Sequence, residues 1–155
     1  MENKTHRPVI TIDGPAASGK GTLTKRIASD YNLFYLETGI FYRVIGKLFL
    51  NNHTQNNIEK FLKDIKKEEF LINTKLKEHL YNEEVAERAS YLAKLKEVRK
   101  FVLVKQLETL KSYPKNFKGI ILEGRDCGTV IAPDADIKFF LTANLEIRAK
   151  RRYQQ

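Results

Sequence analysis

Short apolar runs alternate along the chain with longer stretches whose apolar residues recur at helical spacing, a pattern that predicts an α/β domain. Val9-Ile10-Thr11-Ile12 is too short for a helix and predicts a strand over 8–13, with a helix from Thr22 to about Tyr31 after a glycine-rich stretch. Leu33-Phe34-Tyr35-Leu36 reads as a second strand, and Ile40, Val44 and Leu48 mark a helix from Ile40 to about Asn51. A polar turn over 51–57 precedes a surface helix from Ile58 to about Lys67, with Ile58, Phe61, Leu62 and Ile65 on one face. Phe70-Leu71-Ile72 predicts a brief strand. Asn82-Glu83-Glu84 opens a helix carrying Val85, Ala89 and Leu92, its acidic first turn matching the helix dipole. A longer helix runs from about Leu95 to Leu110 and stops before Tyr113-Pro114. Gly119 to Glu123 and Ile137 to Leu141 are strands separated by a loop from Gly124 to Thr129, and Asn144 caps a last helix from Leu145 onward.

Strands alternating with helices imply a mostly parallel sheet with helices on both faces. Ligands of such sheets bind beyond the carboxyl ends of the strands. Three segments follow strands directly and are expected at that rim: the glycine-rich stretch, Thr38-Gly39 and Gly124-Arg125-Asp126. The first of them, Gly14, Pro15, Ala16, Ala17, Ser18, Gly19, Lys20, Gly21 and Thr22, has the layout of a phosphate-binding loop. Small residues let backbone N–H groups approach an anion, the helix behind adds its positive dipole end, and Lys20 supplies a point charge. The strict pattern puts a hydroxyl residue directly after the lysine; Gly21 intervenes and the hydroxyl falls at Thr22.

Composition narrows the class. A chain of 155 residues with 42% apolar and 30% charged residues reads as one ordinary globular domain. Its only cysteine, Cys127, excludes a disulfide framework and fits a reducing cytoplasm. The polar start from Met1 to Pro8 is not a secretory signal, and no apolar run has membrane-spanning length, so no membrane association is expected. The net charge of +9 is high. It admits a nucleic-acid surface or a cleft for phosphorylated substrates. A solvated, mixed-charge surface accounts for lysines 60, 63, 66, 67, 75 and 77, which stand beside Glu59, Asp64, Glu68 and Glu69.

A phosphate loop alone implies a bound triphosphate. Transfer to an acceptor that is itself a phosphate needs two repelling anions held together, a task suited to arginine, whose guanidinium grips oxygens in pairs. Arg43, Arg99 and Arg125 are the candidates. Each alone reads as a solvated charge, and Arg125-Asp126 as a local ion pair. Their positions in segments that converge on one rim favour a site.

The segments Ile10-Thr11-Ile12-Asp13-Gly14-Pro15, Thr38-Gly39-Ile40-Phe41-Tyr42-Arg43, Glu84-Val85-Ala86, Ala89-Ser90, Val98-Arg99, Glu123 to Val130, Pro133-Asp134-Ala135 and Arg148 to Arg152 occur in an order that resembles the bacterial cytidylate kinases, of the nucleoside monophosphate kinase group. The resemblance implies a three-layer P-loop kinase fold with a mostly parallel sheet, helices on both faces and a small inserted nucleotide-binding subdomain. On that pattern the core is 1–36 with 115–155, the subdomain is about 37–112, and the chain is truncated at its C-terminus. The implied reaction is ATP-dependent phosphorylation of CMP or dCMP, with Lys20, Arg43 and Arg125 catalytic and ATP–Mg²⁺ on residues 14–22. Thr22 would touch the metal directly or through water. CMP would be held by Thr38, Arg43, Ser90, Arg99, Arg125 and Asp126. Of these, Asp126 would accept from the cytosine amino group and Arg99 and Ser90 would donate to the ring acceptors. On the lid side the resemblance leaves Arg148 and Arg152 as phosphate contacts. It also implies a cytoplasmic monomer that binds no nucleic acid. The competing readings are another small-molecule P-loop kinase and a truncated nucleotide- or nucleic-acid-binding module.

Overall fold

In a computed structural model, which describes residues 6–51, 57–70 and 74–154, the most apolar runs lie side by side. β1 (Val9–Asp13) and β3 (Gly119–Gly124) are the central strands of a four-stranded parallel sheet of order β2-β3-β1-β4. β2 (Leu33–Glu37) and β4 (Ile137–Phe140) flank them. Burial follows that order: Ile12, Ile120, Ile121 and Leu122 are inaccessible, whereas every residue of the edge strand β4 is exposed. Continuous apolar runs, not alternating ones, are what a sheet buried on both faces requires.

Register sorts the side chains. Ile10, Ile121 and Tyr35 are aligned across the three strands, as are Thr11, Leu122 and Leu36. Successive side chains alternate, so Ile12, Leu33, Tyr35, Ile121 and Glu123 fall on one face and Thr11, Asp13, Leu36 and Leu122 on the other. α1 (Lys20–Tyr31) packs on the first face through Ala28 and Ile27, against Ile12, Leu33 and Ile121. It ends at Asn32, whose left-handed φ of 55° turns its N–H back onto the carbonyls of Ala28 and Ser29. On the second face Phe34 stacks on Tyr113 at 5.8 Å and meets Phe117 edge-on at 5.4 Å.

This sheet belongs to one of two compact units, Met1–Thr38 with Thr109–Gln155; the other is Gly39–Glu108. The regular elements described in the second unit are all helical. It contains α2 (Ile40–Leu50), α3 (Ile58–Asp64), a 3₁₀ turn (Lys67–Phe70), α4 (Thr74–Glu78), α5 (Glu83–Leu92) and most of α6 (Lys96–Ser112). α2 crosses α5 at Gly46, where a Cβ would lie 3.0 Å from the Ala89 nitrogen and 3.1 Å from the Val85 carbonyl oxygen. Val44, Ile45, Leu80, Val85, Leu92 and Val98 are buried in this unit, and Phe41, Phe70 and Phe101 form a chain of ring contacts at 5.9 and 6.0 Å.

Expectation and structure part in a few places. The helix from Ile58 stops at Asp64. Phe70, expected in a strand, lies in the 3₁₀ turn, while Leu71 and Ile72 fall outside the described residues. α4 was not anticipated. Cys127–Ile131, expected as open loop, coils into a π-helical turn of the kind that recurs at functional sites. None of the described helices is long and apolar enough to cross a membrane.

Candidate active site

The phosphate loop leaves β1 at Gly14, where the backbone passes so close to β4's far end that a Cβ would lie 2.1 Å from the Leu141 carbonyl oxygen. Ala17 adopts a φ of 57° and Gly19 a φ of 94°. A left-handed alanine stores backbone strain, and such residues gather at ligand-holding turns. α1 begins at Lys20, ahead of the expected Thr22, with Gly19 as an N-cap that offers no side-chain acceptor. First-turn N–H groups left uncapped in this way are suited to an anion. The Ser18 hydroxyl, buried within the loop, has no hydrogen-bond partner among the described residues.

Lys20 Nζ donates to the Pro15 carbonyl at 3.2 Å and lies 3.9 Å from Glu123 Oε1. Glu123 also accepts a hydrogen bond from the Tyr35 hydroxyl. Burial is the main force lowering the Lys20 pKa from its ordinary value; Glu123 opposes it and the Arg125 charge adds to it. The ammonium is thus held close to a carboxylate, within the field of a guanidinium. On the outer side of the loop, α7 (Leu145–Tyr153), started by the Asn144 side chain accepting from the Ile147 N–H, contributes two arginines. Arg148 Nε donates to the Ala16 carbonyl at 3.0 Å and Arg151 Nη1 to that of Ala17 at 3.3 Å.

The opposite side of the same strand ends is held mainly by backbone bonds. Asp13 accepts from the Cys127 N–H through Oδ1 and from the Gly128 N–H through Oδ2, both at 2.8 Å. The Thr38 amide and hydroxyl both donate to the Glu123 carbonyl, at 2.9 and 2.8 Å, and its oxygen lies 3.5 Å from Cys127 Sγ. Burial pushes the Cys127 thiol well above the usual range, so it stays neutral. Arg125 is exposed; Asp126 is half-buried and its carbonyl starts the following turn by accepting from the Val130 N–H at 2.8 Å.

In the helical unit Arg43 is half-buried on α2. Its guanidinium donates to the Leu80 carbonyl at 2.9 Å and lies 4.6 Å from the centre of the Tyr81 ring, a cation–π contact that orients it. Ser90 is exposed near the end of α5, and Arg99 is exposed in the first turn of α6.

A family model for cytidylate kinase matches residues 10–155. The chain belongs to the cytidylate kinase family. Among individual relatives it is 46% identical, over 148 residues, to the cytidylate kinase of Bartonella quintana and 44% identical, over 147 residues, to that of Bartonella tribocorum. Each match covers 95% of this chain and 66% of the relative, so the chain spans about two thirds of the length of these cytidylate kinases. A bifunctional pantoate ligase/cytidylate kinase of Prochlorococcus marinus is 39% identical over 160 residues, covering 94% of this chain and 30% of that protein. The crystal structure of TT1252 from Thermus thermophilus aligns over 97% of this chain and 73% of that one at 20% identity, with a TM-score of 0.47, too loose a likeness to add to the assignment.

Within the sheet-bearing unit, the structure brings residues 14–22, Thr38, Arg125, Asp126 and Arg148 to the carboxyl ends of β1, β2 and β3; Arg43, Ser90 and Arg99 belong to the helical unit. Arg152, expected as a lid-side phosphate contact, is exposed on α7, and Arg151 on the same helix bonds the Ala17 carbonyl of the loop. Asp13, Glu123, Tyr35 and Arg151 escaped the reading of the sequence. A signal existed for the two carboxylates: each closes an otherwise apolar strand, where an unpartnered charge would be costly.

Proposed function

We propose that the chain transfers the γ-phosphoryl group of ATP to CMP or dCMP. A phosphate oxygen of the monophosphate attacks the γ-phosphorus, the bond from that phosphorus to the β–γ bridging oxygen breaks, and ADP leaves with the electron pair. The acceptor is already an anion, so no general base is needed. The protein has to position two phosphates and offset their charge. The observation that carries this reading is the joining of two motifs at one set of strand ends in the sheet-bearing unit. Lys20 lies over the phosphate loop while the Arg125–Asp126 turn, fastened to β1 through Asp13, brings a guanidinium close enough to perturb it.

In this reading the backbone N–H groups of the loop, those of residues 16–22, hold the donor phosphates and Lys20 offsets the charge that develops between them. Arg125 and Arg43 grip the acceptor's phosphate, and Arg148 steadies the donor loop from outside. Asp126 accepts from the cytosine amino group, while Arg99 and Ser90 donate to the ring. Uracil would set a carbonyl against Asp126, leaving acceptors facing one another, a mismatch of about 1–3 kcal/mol. Mg²⁺ fits the residues present: it takes hard oxygen donors, keeps several waters and needs only one or two protein ligands. The Glu123 carboxylate lies against the side-chain-free Gly21, and Thr22 is exposed in the same first turn, so these two would hold it. When bound, the ion supplies charge neutralisation to the phosphates. A cytoplasmic monomer that binds neither membrane nor nucleic acid completes the proposal; the single, buried thiol supports the reducing compartment.

The test is ADP release from ATP with a panel of acceptors: CMP, dCMP, UMP, AMP, shikimate and a hexose. CMP and dCMP should lead the panel. Lys20→Ala should lower the CMP-dependent rate about 100- to 1,000-fold, the usual loss on removing one preorganised charge donor. Preference for a non-nucleotide acceptor, or a rate indifferent to Lys20, would reject the proposal.

A further inference from the structure

Asp13 touches neither substrate in the reaction proposed above, yet both of its carboxylate oxygens are committed at the rim. It ends β1, immediately before Gly14, and is only 7% exposed. Its two carboxylate oxygens accept from consecutive backbone amides, Cys127 and Gly128, each at 2.8 Å. Its own carbonyl accepts from the Leu141 N–H at 2.7 Å. One residue therefore joins three strand ends: β1, which enters the phosphate loop; the turn after β3, which carries Arg125 and Asp126; and the exit of β4. The Asp126 carbonyl starts that turn by receiving the Val130 N–H at 2.8 Å, so a shift of Cys127 and Gly128 would carry Asp126 with them.

We infer that Asp13 is a positioning residue: its paired acceptors fix the Arg125–Asp126 turn and thereby set acceptor binding and base selection, separately from the donor loop's hold on ATP. The chemistry requires a carboxylate. Two neighbouring N–H donors need two acceptor oxygens, and a charge-assisted pair is stronger than a neutral one. Asparagine, nearly the same shape, offers one oxygen and turns an NH₂ toward the second amide. An alanine would leave both amides buried without a partner. Other groups packed around the carboxylate leave it this role: the Cys127 thiol stays neutral, Arg125 is exposed, and the nearby Lys138 gives its ammonium to the Pro133 carbonyl. The donor loop has anchors of its own, since its carbonyls at Pro15, Ala16 and Ala17 are bonded by Lys20, Arg148 and Arg151.

The inference rests on the CMP-kinase reading for its consequence but not for its geometry, so the experiment reads the two apart. In ¹⁵N-labelled protein, Asp13→Asn should make the Cys127 and Gly128 amides exchange with solvent about 100-fold faster, move the Arg125 and Asp126 resonances, and leave the Ala28 to Leu33 region unchanged. Calorimetry on the same sample should show CMP affinity about tenfold weaker and the CMP-over-UMP ratio nearer unity, with ATP affinity within about threefold. Asp13→Glu restores two acceptors and should recover part of the CMP loss, whereas a residue needed only for bulk folding would show no such order. Should Asp13→Asn fail to fold, the Asp13→Glu protein and the wild-type amide protection carry the test. Unprotected Cys127 and Gly128 amides in the wild type, unmoved Arg125 and Asp126 resonances, or equal loss of ATP and CMP affinity would overturn the assignment. Wild-type protein that lacks CMP binding but shows the expected amide pattern would overturn the acceptor role while leaving the strand-end joint standing; it would count against the proposed function too.

Discussion

The two units hold their candidate residues by different means. In the sheet-bearing unit the candidate groups follow strand ends within a few residues, and side chains bonded to backbone groups set their positions: Asp13 to the Cys127 and Gly128 amides, Thr38 to the Glu123 carbonyl, Lys20 to the Pro15 carbonyl. In the helical unit Ser90 and Arg99 are exposed on helix surfaces, and Arg43 is half-buried, with its guanidinium held against Leu80 and Tyr81. Under the proposed function, donor binding depends on strand-end loops that a single Cβ can break, and acceptor selection adds side chains borne on helices, which can be altered one at a time.

The sharpest way to break this contrast is Gly14→Ala. The added Cβ would meet the Leu141 carbonyl oxygen at 2.1 Å, backbone against backbone, at a φ of 155°. We expect a loss of about 3 kcal/mol or more in urea unfolding, with ATP binding abolished, since neither partner is a flexible side chain that can give way. Gly46→Ala offers the same chemical change in the helical unit, but its nearest atom lies at 3.0 Å and helices can slide slightly. A loss of about 1–2 kcal/mol is expected, with ATP affinity within about twofold of wild type. Equal losses from the two substitutions, or a loss of ATP affinity from the second, would show that the units do not differ in this way.

The smallest effect sharpens the electrostatic half. The folded Lys20 releases its proton below the ordinary lysine value of 10.5, mainly through burial. Between its folded pKa and 10.5 the unfolded chain therefore binds more protons at this site, so its contribution to stability rises with pH while its hold on an anion falls. Comparing wild type with Lys20→Gln, the difference in tripolyphosphate affinity should begin to fall below pH 10.5, and the difference in stability should drift toward the wild type. A difference in affinity that stays level up to pH 10.5 would refute the lowered pKa.

Much of this was legible in the sequence because strand-end motifs are local. The run Val9 to Ile12, the glycine spacing before Lys20 and the Gly124-Arg125-Asp126 turn state their geometry within a few residues, and Asn82 and Asn144 cap the helices expected of them. What stayed hidden was non-local or weakly periodic. The Asp13 link spans a sequence separation of 114 residues, and nothing near Asp13 names its partners. Arg148, Arg151 and Arg152 lie close on one helix, and which of them meets the loop depends on the angle at which α7 returns. The Phe70 segment looked like a strand because its aliphatic run is short, yet Phe70 is claimed by aromatic contacts with Phe41 and Phe101. The π-helical turn at Cys127–Ile131 depends on the same distant carboxylate and left no signature in composition.

The central claim, that this chain selects a cytidine monophosphate through Asp126, is tested most directly by calorimetric titration of CMP and UMP into wild type and Asp126→Ala. The wild type should favour CMP by about 5- to 150-fold, the equivalent of one buried polar mismatch, and the variant should bring the ratio close to one mainly by losing CMP affinity. A ratio unchanged by the substitution, or a wild type that binds the two nucleotides alike, would contradict it.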